Sequence, residues 1–272
     1  MNPLKTDQKK VGPELFFGLA GAIGTDLGAV SRGLIKALEF VNYDSRIIHI
    51  IEEIHQIDQY RSLEETAKLQ RYREHMNAGD DFREKLKLQD GLARMAIVSI
   101  REKHRAPNNE DCRTPNEPYK PLSNTAFILR SFKRPEEVSL FRKVYGKSFF
   151  LISAYTPRET RIQNLASELA SSHYDSNVSK YREHAETLVN RDEEDLYKDY
   201  GQKVRDTFPE ADFFVDAQKA SHIKDSILRF IEILFGNTFL TPTRMEYAMF
   251  HAKAAEYRSA ELGRQVGAAI IN

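Results

Sequence analysis

Short apolar runs alternate with longer amphipathic segments along most of the chain. Apolar positions such as Leu27, Val30, Leu34 and Leu38 recur at three- and four-residue spacing, which is the spacing of one helix face. Strands are predicted in the short apolar runs at 14–22, 45–51, 125–131, 148–155 and 211–217. Because parallel neighbours need a crossover long enough to hold a helix, this alternation predicts an α/β fold, a doubly wound, mainly parallel five-stranded sheet.

The segments between these strands are predicted to be helical, with one exception. Segments 135–145 and 157–171 each open with a proline followed by acidic residues, a pattern typical of a helix N-terminus. The exception is 106–121, which holds four of the ten prolines without apolar periodicity and is predicted to be a loop. The remaining helical predictions are two helices in 63–105 broken near 77–81, a solvent-facing stretch at 175–207, and 223–234.

The C-terminal residues differ from the rest of the chain. Segment 241–263 is Ala-rich and predicted to be one helix, and 264–272 is predicted to be a strand with no crossover after it. Such a strand either pairs at a sheet edge or belongs to an incomplete second domain, and its unpaired edge suggests a homo-oligomer. The predicted organisation is therefore an N-terminal tail (1–13), a main domain (14–240) and a C-terminal helix and strand (241–272).

Composition excludes several classes of protein. The 40 Lys and Arg residues balance 40 Asp and Glu residues, which argues against a dedicated nucleic-acid or membrane-surface binder. A single cysteine, Cys112, allows no intramolecular disulfide and no zinc site built on several thiolates. No apolar window reaches the length of a membrane span and no secretory leader is evident, so we expect a cytoplasmic protein.

A glycine-rich turn between the first strand and the first helix is the most informative motif. Backbone amides at such a turn bind phosphate, and glycine allows the anion to approach closely. A P-loop reads GxxxxGK[ST], but counting from Gly21 this chain has Asp26, Leu27 and Gly28 where Gly, Lys and Ser/Thr belong. The alternative is a tight turn capped by Thr25 or Asp26, with glycines used only for packing. The sequence leaves both interpretations open.

The exit of the third predicted strand supplies a second candidate element. Arg130, Lys133 and Arg134 form a cationic run that could hold phosphate oxygens, or could be a solvated strand exit. No catalytic residue and no metal ligand is predicted. The predicted binding site, for a nucleotide with Mg²⁺, consists of Gly21, Gly24, Thr25, Asp26, Lys133 and Arg134.

Several segments occur in an order that resembles a known family. ELFFGLAGAIGTDL, RYREHMNAGDDFREKL, TAFILRSFKRPEEVSLFRKVYG, FFLISAYTPRE and GQKVRDTFPEADFFVDA resemble the N-terminal P-loop, nucleotide-kinase-like domain of two-domain anti-phage deoxycytidine-nucleotide (dCTP/dCMP) deaminases. The tail AMFHAKAAEYRSAELGRQVGAAIIN is similar to the opening helix and first strand of their deoxycytidylate-deaminase domain. The resemblance covers about 14–272.

This resemblance implies a regulatory role. In the family, zinc is held by an H-x-E histidine and two cysteines of P-C-x-x-C. The tail that resembles the deaminase domain contains neither motif, and the chain has a single cysteine. Zinc is therefore expected only in a deaminase domain outside this chain, which would act as a nucleotide-binding regulatory or sensor module with a protein or RNA regulator. Two alternatives remain: an active nucleotide kinase or NTPase with a degenerate P-loop, and a protein-interaction scaffold with a vestigial loop.

Overall fold

A computed structural model describes residues 11–63, 66–105, 120–193, 195, 199–261, 263 and 265–271 of the chain. Within these residues five strands form one sheet in the order β2-β3-β1-β4-β5, and all neighbouring pairs are parallel. The strands are β1 (Leu15–Gly21), β2 (Asp44–His49), β3 (Thr125–Phe132), β4 (Phe149–Tyr155) and β5 (Phe213–Asp216). The predicted parallel α/β sheet is confirmed.

Helices connect the strands, as the crossovers of a parallel sheet require. Those predicted at 135–145 and 157–171 are α4 and α5, and none of the described helices is long and apolar enough to cross a bilayer. The helices are α1 (Leu27–Phe40), α2 (Lys68–Leu86), α3 (Gly91–Arg105), α4 (Pro135–Tyr145), α5 (Arg158–Ser172), α6 (Arg182–Glu193), α7 (Val204–Thr207), α8 (Ala220–Leu234) and α9 (Arg244–Glu256).

The predicted helix break near 77–81 is wrong. Helix α2 continues through this segment to Leu86, and its C-cap residue, Lys87, adopts a left-handed φ of +54°. Gly79 and its polar neighbours are poor helix formers, but the same turns bury Ala78 and Phe82 in the core. Tertiary packing of one helix face outweighs local propensity here.

The predicted terminal strand is also wrong, because 265–271 have no regular secondary structure. A strand is stable only when another strand takes up its backbone hydrogen bonds, and none of the described residues pairs with this segment. By its internal contacts the chain divides into two compact units, Met1–Phe230 and Ile231–Asn272. Most of the predicted proline-rich loop, 106–119, lies outside the described residues, as do 1–10.

Consecutive residues of β1 show that helices cover both faces of the sheet. Phe16 stacks on Tyr145 of α4, with ring centroids 3.8 Å apart, and belongs to a core cluster that also contains Phe127 and Leu151. Phe17, fully buried, points to the opposite face and meets Phe230 of α8 edge to face at 6.4 Å. Since successive strand side chains alternate between faces, both faces of the central strand are buried, as in a doubly wound sheet.

The strand order opens a crevice at the carboxyl edge of the sheet. The connection that follows β1 leads to β2 on one side, whereas the connection that follows β3 leads to β4 on the other side. The carboxyl ends of β1 and β3 are neighbours, and the chain leaves them in opposite directions. In open α/β sheets such a switch point is where ligands bind.

Glu137, in the first turn of α4, organises the exit of β3. Its carboxylate accepts hydrogen bonds from the backbone N–H groups of Lys133 (2.9 Å) and Arg134 (3.3 Å). The other carboxylate oxygen lies 3.0 Å from Nη2 of Arg83 on α2, and both side chains are almost completely inaccessible. One buried carboxylate therefore caps α4, fixes the turn that carries Lys133 and neutralises a buried guanidinium.

We expect Glu137→Gln to lower the free energy of unfolding by about 2–4 kcal/mol, because the buried Arg83 guanidinium then keeps only Asp80, at 3.5 Å, as a carboxylate partner. Urea unfolding followed by circular dichroism measures this. The matched control is Glu159→Gln in the first turn of α5, whose ion pair with Arg182 is exposed, and whose unfolding midpoint should be nearly unchanged. Equal midpoint shifts in the two variants would contradict the role assigned to Glu137.

Candidate functional site

A cavity of about 430 Å³ occupies the crevice between the carboxyl ends of β1 and β3. Its walls come from the loop after β1, the ends of β2 and β3, and one side of α2. Positive charge predominates, since five cationic side chains face two carboxylates. The charged lining residues are Lys68, Arg71, Arg83, Arg130 and Lys133 against Glu52 and Asp192. Such a cavity attracts anions.

Gly24 is required by the shape of the loop after β1. Its φ is +84°, and a Cβ at this position would lie 2.6 Å from the carbonyl oxygen of Arg161 on α5. The neighbouring Thr25 N–H closes the turn onto the Ala22 carbonyl oxygen at 3.1 Å. Only glycine combines this φ with such a close approach. The packing interpretation of the glycines therefore applies to Gly24, although Gly24 and Gly21 also line the cavity.

Thr25 lines the cavity, whereas its neighbour Asp26 does not. Asp26 is the N-cap of α1, accepting a hydrogen bond from the Ala29 N–H at 2.7 Å, and is not among the residues that line the cavity. Its carboxylate thus performs the capping function that the sequence left open, rather than facing an anion. Thr25 lines the cavity, and its buried hydroxyl has no hydrogen-bond partner among the described residues. That hydroxyl could serve as an oxygen ligand for Mg²⁺.

Lys133 brings an ammonium group to the glycine loop. Its Nζ donates to the carbonyl oxygen of Gly21 at 3.0 Å and to Oδ1 of Asp192 at 2.8 Å. The loop lacks the lysine of a P-loop in its own sequence. A lysine ammonium from the exit of β3, 112 residues further along the chain, lies beside the loop instead. The structure thus brings Lys133, Gly21, Gly24 and Thr25 together at one cavity, and their binding of a nucleotide stays a prediction.

Arg134 does not join this group. Its side chain is fully buried, donating to the carbonyl oxygen of Gly201 (2.5 Å) and to Glu136 (3.1 Å), and it is not part of the cavity lining. The expected cationic support from Arg134 is corrected: residues 133 and 134 project in different directions, and the second of them anchors the start of α4.

Arg130, rather than Arg134, is the arginine from the β3 exit that lines the cavity. A bulge at Ser131, whose φ is +77°, inserts one extra residue between Arg130 and Phe132 in the register with β1. Arg130 lines the cavity, and its buried Nε has no partner among the described residues. Burial lowers the pKa of its guanidinium, and Glu52 partly offsets this effect. A half-buried cation with an unsatisfied donor is suited to an anionic ligand.

The outer wall of the cavity contains a small charge network. Glu52 lies 3.2 Å from Nδ1 of His49 and 3.3 Å from Nη2 of Arg71. The hydrogen bond from His49 lowers the pKa of Glu52, with the charges of Arg71 and Arg130 acting in the same direction. Glu52 is therefore ionised at neutral pH and balances part of the positive charge.

Helix α2 contributes to this site three side chains that were not predicted from the sequence. Arg71, His75 and Arg83 all line the cavity. With Gly79 they recur every four residues, so they share one helix face. This four-residue spacing of basic residues is the feature of the sequence from which their shared helix face could have been predicted. Among the residues that the structure describes, no group of three or more His, Cys, Asp or Glu side chains is placed to hold a metal ion.

Comparison with known proteins gives a likeness of fold and no family. No protein-family model and no curated protein sequence matches the chain. Solved structures with a similar fold include shikimate kinase from Acinetobacter baumannii in complex with shikimate, with 12% identity, a TM-score of 0.40, and coverage of 84% of this chain and 96% of that one. Shikimate kinase from Bacteroides thetaiotaomicron has 9% identity, a TM-score of 0.41, and coverage of 81% and 98%. A gluconokinase from Sinorhizobium meliloti 1021 has 10% identity, a TM-score of 0.40, and coverage of 84% and 99%. These matches give no support to the deaminase family.

Two glycines of the loop region should respond differently to alanine. Gly24→Ala combines an unfavourable φ with a clash against the Arg161 carbonyl, so we expect a loss of about 2–4 kcal/mol in the free energy of unfolding. Gly28→Ala is the control: Gly28 lies in α1, and a Cβ there would meet the ends of side chains rather than backbone, those of Arg32 and Asp26 at 3.1 Å and that of Arg130 at 3.9 Å.

The helix preference of alanine, about 1 kcal/mol over glycine, should leave Gly28→Ala close to the wild type. Thermal unfolding of the three proteins compares them. If Gly24→Ala is as stable as Gly28→Ala, the close packing of this loop on α5 is refuted.

Proposed function

We propose that this chain binds the phosphate groups of a nucleotide in the cavity between β1 and β3. The observation that carries the proposal is the position of Lys133, whose ammonium lies 3.0 Å from the Gly21 carbonyl oxygen. A glycine turn with a lysine beside it provides backbone donors and a point charge together, which is the combination that phosphate oxygens bind.

The rest of the cavity supports the same ligand class. Arg130 adds a second cation with an unsatisfied buried donor, on the β3 side of the loop. The volume of about 430 Å³ lies within the range of small-molecule sites. Apolar side chains of Ile51, Met76 and Leu92 line part of the wall and offer contacts for the less polar portion of a nucleotide.

A finer proposal concerns the biological role. Our proposal for this chain is a regulatory or sensor module of an anti-phage deoxycytidine-nucleotide deaminase. The proposal includes zinc in a separate domain, a protein or RNA regulator, a homo-oligomeric assembly and a cytoplasmic location. Its support is the order of the sequence segments, together with the single cysteine for the location. The division at 240/241 between a kinase-like domain and the start of a deaminase domain has the same basis.

A second candidate function is phosphoryl transfer. The ammonium of Lys133 beside the loop is the kind of group that neutralises charge on a transferred phosphoryl. ATP or GTP hydrolysis, measured as phosphate release, separates the two functions. Release that disappears in Lys133→Met favours a kinase or NTPase, whereas binding without release favours a sensor.

Removing either cation should weaken nucleotide binding. For Lys133→Met and Arg130→Met we expect the affinity for the nucleoside triphosphate that binds the wild type best to fall by about tenfold or more, since each loses a charge-assisted hydrogen bond. Isothermal titration with the eight common NTPs and dNTPs, at up to millimolar concentration and with Mg²⁺, identifies that ligand and measures the change.

Lys36→Met is the matched control, because Lys36 is exposed on α1 and is not part of the cavity lining. Its affinity should remain within about twofold of the wild type. No heat with any nucleotide would refute the proposed function. Equal affinities in all three variants would place the binding site elsewhere.

A further inference from the structure

The glycine loop already binds an anion, and that anion belongs to the protein. Oδ2 of Asp192, in the last turn of α6, accepts a hydrogen bond from the Ile23 backbone N–H at 2.7 Å. Oδ1 of the same carboxylate lies 2.8 Å from Nζ of Lys133. The Asp192 side chain is only 1% exposed. It therefore fills the position where a loop amide and an ammonium converge.

These two donors are the ones that a phosphate oxygen would use. A phosphate group at this position would accept from the Ile23 amide and from Lys133, because charge-assisted bonds of both kinds are typical of phosphate sites. The carboxylate and the phosphate cannot both occupy one pair of donors, and two anions in contact repel each other. Ligand binding at this position requires that Asp192 leaves.

We propose, on the basis of the proposed function, that the Asp192 carboxylate marks the position of a ligand phosphate and competes with it. When no ligand is bound, the Asp192 carboxylate accepts hydrogen bonds from the Ile23 amide and from Lys133. The ligand must be anionic enough to replace a carboxylate on both donors, which fits the phosphate chain of a nucleoside di- or triphosphate.

The residues on either side of Asp192 hold the end of α6 in place. Arg191 of α6 lies 2.8 Å from Asp80 of α2, and Glu193 of α6 lies 2.5 Å from Arg161 of α5. These ion pairs on either side of Asp192 hold the last turn of α6 against two helices. Release of the carboxylate then needs rotation about its two side-chain torsions, without displacement of α6.

The alternative role for Asp192 is a strut that holds the loop in its binding conformation, and Asp192→Asn distinguishes the two roles. The amide keeps the size of the side chain but removes the charge that competes with phosphate. A competitor predicts that the affinity for inorganic triphosphate, which carries no base, rises about tenfold. A strut predicts that it falls.

The experiment is isothermal titration of the full chain with inorganic triphosphate and with ATP, in EDTA and with Mg²⁺. Glu186→Gln is the matched control: it removes one charge from α6 at a side chain that pairs with Arg182 at 3.0 Å. Its affinity should stay within about twofold of the wild type. Asp192→Ser, also neutral, gives the same direction if the asparagine variant does not fold.

Unchanged or weaker binding in Asp192→Asn, while the wild type binds, would overturn this inference and leave the proposed function standing. Weaker binding only with Mg²⁺ would also overturn it, because Asp192 would then be a metal ligand. If the wild type and every variant fail to bind either probe or any nucleotide, the proposed function itself fails.

Discussion

The structure at the carboxyl edge of the sheet depends on how buried charges are paired. Glu137 is the centre of this arrangement, because its carboxylate binds Arg83 at 3.0 Å and the backbone amides of residues 133 and 134. Burying a guanidinium is costly unless carboxylates neutralise it, and Glu137, together with Asp80 at 3.5 Å, does this for Arg83. The same Glu137 carboxylate connects α2 to the turn at the β3 exit. Lys133 reaches the glycine loop because the turn that carries it is held in this way.

The glycine loop packs closely on α5 and contacts two charged side chains, Lys133 and Asp192. Gly24 allows the loop to pack on the backbone of α5, which places the Ile23 amide and the Thr25 hydroxyl at the cavity. The charge that the loop sequence lacks comes from Lys133, and the anion that it now holds comes from Asp192. The β3 exit thus supplies a cation to the loop, and α6 supplies a carboxylate.

Sequence reasoning predicted much of the fold from local patterns. The five strands and the bounds of α4 and α5 followed from apolar periodicity and from prolines that precede acidic residues. The predictions were wrong at 77–81 and at 265–271, the described part of the predicted terminal strand. The outcome there depended on packing against the core and on whether another strand pairs with the segment. Lys133 and the glycine turn, both named from the sequence, line the same cavity, whereas Arg134 does not and Arg130 does.

The sequence by itself determined the α/β class, the glycine turn after β1 and the basic exit of β3, because each is encoded in residues that are close together in the chain. Only the tertiary structure decided which of these residues meet. Lys133 and Gly21 are 112 residues apart, and Asp192 and Ile23 are 169 apart. Their contacts follow from the strand order, from the bulge at Ser131 and from the pairing of buried charges. These are global constraints, and a local pattern does not contain them.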